Sequence, residues 1–306
     1  MMRRLEVLTI PAMLQASYRD FANNQSLIFV GEENLTYKQL ENEVKKAALQ
    51  LQQLGIKKGD KVAILSMNMP QWGIAFFATS VLGAVVVPIL PDFHPTEIKN
   101  IILHADVSAI YVSESLRIKL DQTLEIPVIH IEEFQVAGQA NQSPIQSFDD
   151  LFLEYPKVEE HDLCSIIYTS GTTGKSKGVM LSHKNIVWTA QQSFLIQNIM
   201  PGDRFLSVLP LSHTFENTLG LILPVKYGAT VNYLRKPPVP SVLLAALQQV
   251  RPTIMLVVPL IVEKIYKAKI LPEINRKFIT RSLYKLSVTR KLLNKIAAKK
   301  LYATFG

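Results

Sequence analysis

Residues 168–178 read Tyr-Thr-Ser-Gly-Thr-Thr-Gly-Lys-Ser-Lys-Gly. Glycine lets backbone N–H groups come close to a ligand, and short hydroxyl side chains (Thr169, Ser170, Thr172, Thr173, Ser176) add donors without bulk. Successive N–H groups in such a run form an anion-binding concavity, and Lys175 and Lys177 supply compact positive charge. A phosphate chain is the natural occupant. The preceding Leu163–Tyr168 reads as a buried strand, which sets the loop at a strand end, where α/β proteins bind ligands. Two familiar phosphate loops fail the spacing test. The G-x-x-x-x-G-K-[ST] pattern needs glycine where Thr169 stands, and Val179-Met180-Leu181 afterwards suits a strand rather than a helix. The G-x-G-x-x-G pattern also needs glycine at that position.

Working outward, residues 62–91 carry no charged side chain, which on length alone suggests a membrane span. Ser66, Asn68, Gln71 and Thr79 interrupt it, and Pro70, Gly83, Pro88 and Pro91 punctuate it. The better parse is a strand at 61–66, a buried helix at 70–82 and a strand at 84–89, buried on both faces as parallel sheets require. Strand and helix alternate through residue 131, the mark of a doubly wound α/β layer. Before it lie a hairpin-like piece (26–37) and a helix from Lys38 to Leu54. After it come a polar connection (133–160), a helix at about 183–199, strands at 205–209 and 229–233, and a strand from Pro252 to Pro259.

Composition bounds the class. A length of 306 residues suggests about two domains, and 48% hydrophobic with 19% charged residues describes a folded globular chain. The single cysteine, Cys164, excludes an intramolecular disulfide, fits a reducing compartment and reads as a small core residue. Glu6 and Pro11 break any apolar segment after Met1-Met2-Arg3-Arg4, so a cytoplasmic protein is expected. Residues 264–300 hold twelve Lys/Arg and one acid, a net of +11 against +8 for the whole chain, so the remainder is −3. The basicity is local, and no nucleic-acid surface is expected. Within that segment Ile279, Leu283, Leu286, Leu293 and Ala297 share a helical stripe, making it a candidate for peripheral contact with anionic lipid.

The stretch from Tyr168 to Val179, continued by Met180-Leu181-Ser182-His183, resembles the phosphate-binding signature of the adenylate-forming superfamily: acyl-CoA synthetases, adenylation domains and luciferases. The one departure is Ser176, where that signature carries proline. Thr36–Leu40, Gly59–Val62 and Asn68–Trp72 resemble opening segments of the same group. Pro210-Leu211-Ser212-His213-Thr214-Phe215-Glu216 is similar to the long-chain form of its substrate motif, and Arg251–Thr253 with Val258–Tyr266 is similar to a further segment of the long-chain ligases. The H-H-x-x-x-D-G pattern of carrier-protein assembly lines is missing.

The resemblance implies an α/β fold, the acyl-CoA synthetase-like N-terminal body of two stacked α/β subdomains. One subdomain would span about 62–200 and the other 1–60 plus 205–306. It implies ATP, Mg²⁺ and coenzyme A as co-reactants, and a fatty acid as substrate. Thr169, Ser170, Gly171, Thr172, Thr173, Gly174, Lys175 and Lys177 would hold the ATP phosphates, with Thr169 helping to hold Mg²⁺. Lys177 and His213 would be catalytic, and His213 and Glu216 would face the substrate, one helical turn apart. His94, His104, His130, His161 and His183 have no comparable setting. The family's adenine, ribose and catalytic-lysine motifs are missing, so a chain truncated before the C-terminal domain is expected, inactive alone and prone to pair with itself through an open sheet edge. Two other readings stand beside the ligase: an adenylating domain that loads a carrier protein, and a binding protein without turnover.

Overall fold

The computed structural model describes residues 4–32, 35–121, 123–138, 156–169 and 177–259, with isolated positions beyond. In order these form α1 (Ile10–Phe21), β1 (Leu27–Phe29), α2 (Tyr37–Gln53), β2 (Lys61–Leu65), α3 (Pro70–Val81), β3 (Val85–Ile89), α4 (Pro95–His104) and β4 (Val107–Val112). After them come β5 (Val128–His130), β6 (Gln135–Val136), β7 (Leu163–Thr169), β8 (Lys177–Ser182), α5 (His183–Ser193) and β9 (Arg204–Ser207). A continuous helical stretch then runs through α6 (Thr214–Glu216), a π-helical turn (Asn217–Ile222) and α7 (Leu223–Lys226), ahead of β10 (Thr230–Tyr233) and α8 (Pro240–Val250).

Seven strands make one sheet in the order β6-β5-β4-β2-β3-β7-β8. Its five central strands are parallel, and the edge strands β6 and β8 run antiparallel. The charge-free run behaves as parallel-sheet physics requires. Along β2, Val62 and Ile64 join the core on the α3 face, while Ala63 and Leu65 join the core on the α4 face. Neighbouring residues point to opposite faces, so a strand covered on both sides must be apolar at every position. A helix between β2 and β3 therefore replaces the apparent membrane span. No helix of the described residues is long and apolar enough to cross a membrane.

A second, three-stranded parallel sheet has the order β1-β10-β9. α3 packs against β1 as well as β2 and β3, and eleven of its twelve residues are buried. Gly73 lets the small sheet approach: a Cβ there would lie 2.6 Å from Leu27 Cδ1. Here the structure corrects three local expectations. The piece at 26–37 is not a hairpin, since Leu27 pairs in parallel with Val231 and the antiparallel contact is confined to a Gln25–Thr36 bridge. Thr36 instead opens α2 through a capping box with Gln39, which takes the chain out of the sheet. The helix from 183 ends at Ser193, and the segment after Pro252 makes only one bridge, Ile254 to Phe205. Pro252 and Pro259 lack the N–H groups a ladder needs.

Candidate active site

β7 and β8 form an antiparallel hairpin with Thr169 directly opposite Lys177 and Tyr168 opposite Gly178. Thr169 and Lys177 are exposed as the last pair before the connecting residues, at the carboxyl edge of the parallel strands. Ser170, Gly171, Thr172, Thr173, Gly174 and Lys175 lie outside the described residues. Gly178 lets the hairpin close: a Cβ there would fall 2.8 Å from Ile166 Cγ2 and 3.3 Å from the Tyr168 ring. The tyrosine so accommodated shares a 2.6 Å hydrogen bond with His104 Nδ1 at the end of α4. His104 thus gains the context its sequence setting lacked. Its partner Tyr168 is sixty-four residues away, and no local pattern joins them.

The Ser182-His183 pair that completes the motif has a structural explanation. Ser182 and Asn185 form a capping box at the start of α5. His183 is fully buried, and its Nδ1 accepts a 3.3 Å hydrogen bond from Ile10 N. Burial drives its pKa down to about 4 against the field of nearby Asp162, so the ring is neutral and fastens the start of α1 to the start of α5. Cys164 is likewise a core residue, its thiol pushed up to about 12 by burial.

His213 and Glu216 part company. His213 is exposed at the N-cap of α6, with its N–H donating to Pro210 O and its carbonyl accepting from Asn217 N. Glu216 is 1% exposed and turned inward, where Ser207 Oγ donates to its Oε1 at 2.6 Å. Burial raises its pKa to about 8, against the pull of the Ser207 hydrogen bond, so the carboxyl is largely protonated at neutral pH. The two side chains do not share an open face, because a turn of three residues faces solvent at one end and the core at the other. A neutral, inward-turned carboxyl is poorly suited to meet a substrate. Among the described residues, no group of three or more His, Cys, Asp or Glu is gathered as a metal cage.

Asn68, at the exit of β2, was quoted in sequence only as part of a motif. Its side chain contacts the segment leading to His213 at three atoms, described below. A cleft of about 320 Å³ lined by Phe29, Gln71 and Glu132 among others contains none of the site residues named from sequence. Thr169, Lys177 and His213 are exposed and lie outside that cleft.

A family model described as AMP-binding enzyme matches residues 14–304. The chain belongs to the AMP-binding enzyme family. It is 30% identical over 283 residues to "Long-chain-fatty-acid--CoA ligase ACSBG2" of Rattus norvegicus, covering 84% of this chain and 42% of that protein. It is 27% identical over 253 residues to "Long chain acyl-CoA synthetase 3" of Arabidopsis thaliana, covering 76% and 38%. The chain thus spans about two fifths of the length of these curated relatives. Among solved structures, O-succinylbenzoate coenzyme A synthetase of Bacillus subtilis in complex with AMP superimposes with a TM-score of 0.72 at 22% identity, over 84% of this chain and 64% of that one. That likeness establishes the fold: the N-terminal body of the adenylate-forming enzymes. For this AMP-binding chain the relatives named above are long-chain acyl-CoA ligases, and the stretch that resembles the family's phosphate signature lies on the hairpin carrying Thr169 and Lys177.

Proposed function

We propose that this chain supplies the phosphate-binding and carboxylate-binding side of an ATP-dependent long-chain fatty acid–CoA ligase. The observation that carries the reading is the run of long-chain ligases among its relatives, together with a family match over residues 14–304. In the reaction a fatty carboxylate oxygen bonds to the α-phosphorus of ATP as the α–β bridging P–O bond breaks, giving acyl-AMP and pyrophosphate. The thiol sulfur of coenzyme A then bonds to the acyl carbon, AMP leaves, and the thiol proton passes to solvent. Both steps demand positioned charge more than covalent help from the protein.

Lys177 directs its ammonium at the β- and γ-phosphates, and the loop from Thr169 to Lys175 wraps them. His213 meets the acyl carboxylate beside the α-phosphate. The Thr169 hydroxyl would help to hold Mg²⁺, which would supply charge neutralisation at the nucleotide's phosphates. The basic segment 264–300, which lies almost wholly outside the described residues, would hold this cytoplasmic enzyme against anionic membranes that contain its substrate. Self-association through a sheet edge belongs to the same proposal.

ATP–pyrophosphate exchange with palmitate, measured in a protein that carries this chain within the full length of its relatives and followed by competition between coenzyme A and a phosphopantetheinyl carrier protein, tests the reading. Exchange that depends on palmitate, with thioester formed on coenzyme A, is expected. Thioester formed on the carrier alone transfers the chain to the carrier-loading class, and no exchange at all removes the ligase reading.

A further inference from the structure

The segment Val208–Ser212 carries His213 away from the small sheet, and its position depends on an atom of the large one. Asn68 follows β2 of the seven-stranded sheet. Its Nδ2 donates to Ser207 Oγ at 2.9 Å and to Leu209 O at 2.6 Å, while its Oδ1 accepts from Leu211 N at 2.9 Å. Ser207 is the last residue of β9, and it is 3% exposed. Its single hydroxyl proton goes to Glu216 Oε1, so the serine accepts from Asn68 and donates to Glu216. A directional chain therefore runs from the large sheet, through the end of the small one, to the last residue of α6.

The segment between these anchors is held at both ends. Leu211 and Ser212 are buried at 0% and 3% exposure, yet the next residue, His213, is open to solvent. The π turn makes space for the far anchor. A Cβ on Gly220 would lie 2.6 Å from Glu216 Cδ, so only glycine there lets the carboxyl fold inward. π turns are uncommon, and the altered backbone spacing re-aims side chains relative to a regular helix.

We propose that half-buried Asn68 and buried Ser207 and Glu216 form a brace that positions the His213 loop relative to the β7–β8 hairpin, with Asn68 as the residue joining the two sheets. β2 and β7 are parallel members of one sheet, so Asn68 and Thr169 leave it at the same edge. The brace is the route by which a loop belonging to one sheet is registered on the phosphate edge of the other. Glu216 serves it as an uncharged acceptor rather than as a substrate ligand. The consequence for turnover rests on the ligase reading above; the brace itself does not.

Hydrogen–deuterium exchange on the unliganded chain separates the two. Asn68→Ala should speed exchange in peptides covering 206–217 by roughly tenfold or more, the scale of losing a buried hydrogen bond, while peptides from α4 and β4 keep their protection. Glu216→Gln, which keeps an uncharged carbonyl acceptor for Ser207, should retain protection that Glu216→Ala loses. In the ligase assay, Asn68→Ala should lower kcat for adenylate formation roughly tenfold and leave the KM for ATP within about twofold, since the phosphate hairpin is untouched. Should Asn68→Ala fail to fold, Asn68→Asp keeps the shape and the Leu211 contact while removing both donated bonds. Unchanged exchange at 206–217 overturns the brace. Faster exchange with unchanged kcat overturns its positioning role and leaves the ligase reading standing. If the unsubstituted full-length protein forms no adenylate, the ligase reading falls and the exchange arm still decides the brace.

Discussion

Lys177 opens β8 directly across from Thr169, and it is exposed, so its ammonium is free to meet an anion at the hairpin mouth. Removing one positioned electrostatic stabiliser costs about 10²–10³ in rate, and Lys177→Ala in the full-length protein should lower ATP–pyrophosphate exchange by that factor. Unchanged exchange would remove the residue from the site. His183 makes a different kind of statement, about stability. Its folded pKa of about 4 sits below the ordinary 6.5, so between these values the unfolded chain binds the extra proton. Stability therefore rises with pH across that window and is lost as pH falls through it. The full effect is about 3 kcal/mol at roughly 1.4 kcal/mol per unit. Asp162 and Glu160, whose pKa values are held down by hydrogen bonds, also lose stability in acid, but they remain in a His183→Gln variant. Between pH 6.5 and 4.5 the parent should lose about 2 kcal/mol more than His183→Gln in urea denaturation. Parallel losses would mean that His183 stays charged in the fold.

Hairpin closure is decided at Gly178, where the partner strand leaves no room for a side chain. An added methyl meets Ile166 at 2.8 Å. Gly178→Ala should therefore destabilise by about 1–3 kcal/mol, the usual cost of overpacking. Gly202, with nothing within 4 Å of an added Cβ, is the control, and Gly202→Ala should stay within about 0.5 kcal/mol of the parent. Equal denaturant midpoints for the two variants would show that Ile166 gives way freely. The same element explains why the phosphate motif extends beyond its loop. Gly178 admits Tyr168, Tyr168 binds His104, and Ser182 caps the helix that follows. Much of the signature after Lys177 thus builds the platform for the loop.

Two sheets share one helix, so they should unfold together. Trp72 on α3 is fully buried and stacks on Phe76 with ring centroids 5.7 Å apart, in a core containing Leu27 and Val231 of the small sheet and Val62 and Val86 of the large one. Trp72→Ala should cost about 3–5 kcal/mol. Because the core is common, far-UV circular dichroism and hydrogen exchange of both sheets should shift to one lower midpoint. Separate midpoints for β1-β10-β9 and the larger sheet would show that α3 does not couple them.

Much of this was legible in the chain itself. The charge-free run at 62–91 required strands buried on both faces, because a residue between two covered layers has no water to solvate it. The spacing of glycines, hydroxyls and lysines from Thr169 to Gly178 pointed to a turn at a strand end, and Thr169 does end β7. Other features depended on partners far away in sequence. Leu27 pairs with Val231, His104 with Tyr168, and Asn68 with Leu209 and Leu211, each across more than sixty residues. Local propensity carries no information about such partners, and that is why a parallel strand at 27–29 resembled half of a hairpin. The same reason governs Glu216. Three residues of helix brought it within a turn of His213, but whether its carboxyl faced substrate or core was decided by Ser207 at the end of β9 and by the space over Gly220. Sequence determined the α/β sheet and the family motif that ends one of its strands; only the packing of the second sheet against α3 decided which polar side chains meet solvent and which are withdrawn into the core.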